Sequence, residues 1–161
     1  MRHKVAVSAI HLGLTAAEAY EVLRDFERHA QLSDVVRSVR LERGDDGSQI
    51  SFWEVELRRG ILRWSQYDQL DDANHRVRFR RRDGYPAEFE GVWSAVEGPD
   101  GCRIGFDGEF ELGYPSWSNA LDPVAARNIR ENVTAQLEGI FGPALLVDRS
   151  LPREPAPTAG I

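Results

Sequence analysis

Residues 123–141, PVAARNIRENVTAQLEGIF, carry the one long helical pattern in this chain. Ile129, Val133, Leu137, Ile140 and Phe141 recur at i, i+4, i+8, i+11 and i+12, a spacing that puts them on one stripe of a helix. Asp122 before Pro123 reads as an N-cap with proline at the first helical position, and Gly142-Pro143 reads as a stop. Between Val35 and Leu112 the pattern alternates with period two instead, so a single helix has to cover a large antiparallel sheet. A helix that closes a curved sheet incompletely leaves a hollow beneath it. Any function read from this pattern requires that hollow to exist.

With 161 residues, 42% of them hydrophobic, the chain suffices for one domain with a sizeable core; we expect residues 1–148 to form it and 149–161 to be a flexible, proline-rich tail. A net charge of −6 argues against a nucleic-acid partner, because phosphate binding calls for a basic face. The single cysteine, Cys102, excludes an intramolecular disulfide and reads as a buried thiol. The start, MRHKVAVSAI, is basic but lacks a signal-like apolar core, and no run approaches the ~20 apolar residues of a membrane span. A cytoplasmic location is expected.

In chain order, Lys4–Ile10 alternates weakly and reads as a first strand. Thr15 followed by Glu18 forms a capping box ahead of a short helix over residues 16–24, and a second helical turn includes His29–Leu32. Val35–Glu42 returns to period two with Val35, Arg37, Val39 and Leu41 on one side, and turns such as Gly44-Asp-Asp-Gly47 and Asp83-Gly84-Tyr85-Pro86 mark four further strands. Val77 and Phe79, then Phe89, Gly91, Trp93 and Ala95, then Ile104, Phe106, Gly108 and Phe110 face one way, against charged residues on the other face. Gly91, Gly105 and Gly108 mark sharp bends or close approaches. The segment 113–119, with Tyr114 and Trp117, reads as a lid over one end of the hollow.

The run 61–70 is the ambiguous strand. Arg63, Ser65, Tyr67 and Gln69 share one face; Leu62, Trp64, Gln66, Asp68 and Leu70 share the other, and neither is cleanly apolar. With the odd-numbered face inward, Arg63 would stabilise a developing enolate while Tyr67 donates a hydrogen bond, as aldol closure and dehydration need. Against this stands an Arg63 that snorkels to solvent and a Tyr67 in ordinary sheet packing. Arg81, in phase with Val77 and Phe79, is a second inward cation or a surface residue near a turn.

Trp53, Phe89, Trp93 and Phe106 are candidate walls for a flat ligand, or simply core. Asn128, Asn132 and Gln136 form a row beside the apolar helical stripe, offering either uncharged donors to ligand carbonyls or a solvated flank. His3, His11, His29 and His75 lie in different elements without metal-ligand spacing, so no metal site is expected; His29 reads as a surface histidine, or else as one edging the cavity mouth beside the short helices. Neither a Ser-His-Asp signature nor a phosphate-binding glycine loop is present.

The order of strand, two short helices, six strands and long C-terminal helix matches an α+β helix-grip fold. Residues 16–28, AAEAYEVLRDFER, with Phe89-x-Gly91-x-Trp93 and the run from Gly105 through Gly108-Glu109-Phe110, resemble the START-like (Bet v 1-like) polyketide cyclase/dehydrase superfamily, which includes bacterial aromatase/cyclases and coenzyme Q-binding proteins. The resemblance covers roughly residues 5–142. It implies a deep pocket that folds a poly-β-ketone and promotes aldol cyclisation and dehydration without a cofactor, with an acyl carrier protein as a partner. Cyclase/aromatase activity is the leading expectation; the alternative is a non-catalytic carrier or sequestering protein for a quinone, lipid or other hydrophobic metabolite. Gln69 aligns with the arginine usual on the family's middle strand, and Val36 or a neighbour with its usual tyrosine. Arg63, Tyr67 and Gln69 are therefore the catalytic candidates, and Trp53, Arg81, Phe89, Trp93, Phe106, Asn132 and Gln136 the ligand-binding ones.

Overall fold

Alternation over the middle of the chain does produce one continuous antiparallel sheet. The computed structural model describes residues 2–46, 48–57, 60–113 and 122–149. Strand β1 (His3–His11) is followed by helices α1 (Ala16–Arg24) and α2 (Phe26–Leu32). Next come β2 (Val36–Arg43), β3 (Gln49–Leu57), β4 (Gly60–Asp71), β5 (Arg76–Gly84), β6 (Glu88–Gly98) and β7 (Gly101–Glu111). Helix α3 (Asp122–Phe141) and a short β8 (Leu145–Val147) complete the order. The strands lie side by side as β2-β3-β4-β5-β6-β7-β1-β8, every neighbouring pair antiparallel. With its long α3 and short α1 and α2, this is the helix-grip arrangement.

The start of α1 and the end of α3 have local causes. Thr15 caps α1: its hydroxyl accepts from the Glu18 amide at 3.1 Å while the Glu18 carboxylate accepts from the Thr15 amide at 3.0 Å. Along α3, Ile129, Val133, Leu137, Ile140 and Phe141 are all buried, and Gly142 takes the left-handed φ of 75° just past the helix end. Among the described residues no helix is long and apolar enough to cross a membrane.

Three expectations change. Among the described residues five strands, not four, stand between β2 and α3. A bulge between Val36 and Ser38 shifts the side-chain phase of β2, so Val36 is buried and Arg37 exposed. The chain after α3 adds β8 to β1, a three-residue pairing too short to announce itself by alternation. On β4, whose inward face the sequence left open, the even-numbered face turns inward: Gln66 and Asp68 are buried, whereas Tyr67 and Gln69 are exposed. The expected lid with Tyr114 and Trp117, the Asp122 and Pro123 side chains and the tail beyond residue 149 lie outside the described residues.

Candidate ligand cavity

Large apolar side chains on the inner face converge under α3. Trp53 and Val55 of β3, Trp64 and Gln66 of β4, Phe79 of β5, Phe89 and Trp93 of β6 and Phe106 of β7 face Ile129, Asn132, Val133 and Gln136 of α3 across a cavity. Its free space is about 30 Å³, room for roughly one or two water molecules. Small-molecule sites typically offer about 300 Å³ or more, so a multi-ring ligand enters only if wall side chains move. Leu57, Leu62 and Ile129 are shared with an adjoining apolar depression of about 210 Å³. That depression is the open flank of the cavity.

The rings form a closed circuit. Phe26 contacts Trp53, then Trp64, Phe89, Phe79, Phe106, Trp93 and His29 follow, and His29 returns to Phe26. Successive centroids lie 4.7 to 6.1 Å apart, within the range in which aromatic pairs attract beyond area burial. Trp53 and Trp64 are the parallel pair, 5.7 Å apart with 7° between planes. Gly91 and Gly108, paired across β6 and β7, make room for the circuit: a Cβ on either would come within 2.9 Å of the Phe79 or Phe106 ring.

The amides among these rings are held in fixed orientations by a buried carboxyl on the sheet side and an imidazole on the helix side. Gln66 Nε2 donates to Asp68 Oδ1 at 2.7 Å, and Gln66 Oε1 accepts from Trp64 Nε1 at 2.7 Å. Asp68, 6% exposed, also accepts from Gln49 Nε2 at 2.8 Å and from the Ser51 hydroxyl. Burial pushes the Asp68 carboxyl above the ordinary carboxylate range, against the downward pull of these three donors. On the helix side, Gln136 Nε2 lies 2.8 Å from His29 Nδ1, and His29 Nε2 lies 3.0 Å from the Leu23 carbonyl. A carbonyl only accepts, so Nε2 carries the proton and Nδ1 accepts from Gln136. Asn132 Nδ2 donates to the Glu56 carbonyl at 2.7 Å, clipping α3 to β3. Among the described residues no charged side chain lines the cavity.

The sequence candidates separate into two groups. Trp53, Phe89, Trp93, Phe106, Asn132 and Gln136 line the cavity. Arg63, Tyr67 and Gln69 do not: they lie on the outer face of β4, where the Arg63 side chain is 62% exposed and pairs with Glu54 at 3.0 Å, and Tyr67 is 44% exposed. The reason is burial, since the opposite face carries Leu62, Trp64 and Leu70, the larger apolar area. Arg81 keeps the inner phase, opposite Gln66, yet reaches back to donate to the Gly84 carbonyl at 3.1 Å. An extra β5 residue opposite the Ser65–Gln66 step turns the strand end away there. Asn128, third of the expected helical row, lines the adjoining depression. Gln49, Ser51, Gln66 and Asp68 were not among the candidates. The signal available was the number of large apolar residues on each face of β4.

The family model described as polyketide cyclase/dehydrase and lipid transport matches residues 2–140. The protein TTHA0849 from Thermus thermophilus is similar in structure, with a TM-score of 0.77, 23% identity and coverage of 86% of this chain and 94% of that one. The Zhui aromatase/cyclase from Streptomyces sp. R1128 also has a TM-score of 0.77, at 17% identity, covering 89% and 94%. A START superfamily protein from Mycobacterium smegmatis follows at 0.67 and 20% identity, covering 87% and 96%. No curated protein matches the chain.

Proposed function

Because the chain belongs to the polyketide cyclase/dehydrase and lipid transport family, we propose that it binds a flat, neutral, oxygenated hydrophobic molecule, polyketide-like in character, in the cavity beneath α3. The observation that carries this reading is the ring circuit facing α3, where among the described residues only the amides of Gln66, Asn132 and Gln136 give polar lining. Aromatic faces suit flat conjugated molecules. Uncharged amides leave a hydrogen bond for a carbonyl or hydroxyl without the desolvation cost of a charge. Carriage or sequestration of such a molecule needs nothing further from the protein.

Cyclase/aromatase activity is the second reading, and one observation favours it. The Asp68 carboxyl, held above its usual range by burial, stands directly behind Gln66 and is the group there best suited to proton transfer. With Arg63 and Tyr67 facing outward, an aldol closure would rest on this pair and on positioning, and an acyl carrier protein would deliver the chain. Incubation with a minimal polyketide synthase separates the readings. Altered first-ring regiochemistry or dehydration supports catalysis; an unchanged product profile with saturable binding of the aromatic product supports a carrier.

A further inference from the structure

The two stacked indoles are tied, each through one intermediary, to a single carboxyl. Trp53 Nε1 donates to Ser51 Oγ at 2.8 Å, and the Ser51 hydroxyl donates to Asp68. Trp64 Nε1 donates to Gln66 Oε1, and Gln66 Nε2 donates to Asp68 Oδ1, both at 2.7 Å. Both Asp68 oxygens already accept amide N–H groups, Oδ2 from Gln49. Gln66 must therefore keep its nitrogen toward Asp68 and its oxygen toward the Trp64 indole. The indoles differ in freedom. Trp53 is 3% exposed and held edge-on by Phe26 and His29, whereas Trp64 is only half-buried and lies between Trp53 and Phe89.

We propose that the ligand's slot is the space the Trp64 indole now fills: the molecule admitted is planar, about the size of two fused rings, and carries an O–H or N–H that replaces Trp64 Nε1 on Gln66 Oε1. This rests on the cavity-binding reading above and narrows it. Free space of about 30 Å³ does not hold two fused rings, but the departing indole vacates a space of that shape. The incoming ring inherits the same partners, the Trp53 face at 5.7 Å and the Phe89 edge. Once the indole leaves, Gln66 Oε1 is a buried acceptor without its donor, which is costly unless the ligand supplies one. The amide cannot turn its nitrogen inward instead, because its oxygen would then face the Asp68 oxygen. The slot accordingly favours phenols, naphthols and hydroquinones over methyl ethers and quinones, which only accept.

The test is calorimetric titration of wild type, Trp64→Ala and Gln66→Met with 2-naphthol and with 2-methoxynaphthalene, a more apolar analogue that cannot donate. Trp64→Ala is expected to bind 2-naphthol about tenfold tighter than wild type and to prefer it over the ether by about tenfold, a preference that Gln66→Met abolishes. Trp64→Leu makes the same comparison should the alanine variant melt out. Equal or weaker naphthol binding by the Trp64 variants, with wild type binding normally, overturns the slot but leaves the cavity reading standing. Equal affinity of the Trp64 variants for naphthol and ether overturns the donor requirement. Absence of binding in every protein overturns this proposal together with the reading beneath it.

Discussion

His29 shows how one buried polar residue is made tolerable and what that demands. It is 0% exposed among Phe26, Trp53 and Trp93, with its two nitrogens occupied by the Leu23 carbonyl and the Gln136 amide. Burial lowers its pKa from 6.5 to about 4, against the Leu23 and Val22 carbonyls and Asp25, which pull upward. The unfolded chain therefore takes up a proton that the native state refuses as pH falls from 6.5 to 4. Stability from this group is fully present above pH 6.5 and declines through that window by roughly 3 kcal/mol. His29→Gln is expected to flatten that part of the urea-midpoint profile; an unchanged slope contradicts the assignment. Trp93→Ala removes a ring from the circuit and is expected to cost about 3–5 kcal/mol, so Trp93→Phe is the better variant for titration and should weaken naphthol binding severalfold. At this scale the sequence exposed the rings, because strict alternation on β6 and β7 sorts Phe89, Trp93 and Phe106 to one side. It hid His29, which reads as a surface residue because nothing local reveals that α3 will bring Gln136 to its Nδ1.

Among the elements, α3 sets the size of the cavity, and two contacts fix its height above the sheet. Asn132 bonds the Glu56 carbonyl, and Gly139 passes so close to the end of α2 that a Cβ there would stand 2.9 Å from both the Leu32 oxygen and the Ser33 Cα. Gly139→Ala gains up to about 1 kcal/mol of helix propensity but forces backbone apart, typically costing about 1–3 kcal/mol. The expected outcome is a net loss of stability in chemical denaturation with an enlarged cavity. A stabilised variant would mean that α2 yields freely. The α3 stripe and the Thr15 capping box were legible because both are local patterns of fixed spacing. The inward face of β4 was not, because it mixes Gln66 and Asp68 with Leu62 and Trp64 while the outer face mixes Tyr67 with Arg63. Leu62, Trp64 and Leu70 tip the balance by area, and pairing with Trp53 on β3 and with Phe79 on β5 makes the choice plain. On β2 one step was misread for a different reason: the bulge between Val36 and Ser38 turns Val36 inward and Arg37 outward, after which Val39 and Leu41 pack against the core as expected.

For the molecule as a whole, binding requires a space under α3 that ligand enlarges from its present size. Element order and a period-two pattern were enough to reach the helix-grip fold, since one helix and a bent sheet leave few other ways to bury both apolar faces. They could not reveal how full the hollow would be, which depends on rotamers of Trp53 and Trp64 set by a hydrogen-bonded chain ending at Asp68. The most direct measurement is methyl NMR of the wild-type protein titrated with 2-naphthol. Saturable shifts are expected, largest at Val55, Ile129 and Val133, which line the cavity. Shifts confined to Ile50, Ile61 and Val92 of the outer face, or no saturable shift at all, would contradict binding under α3.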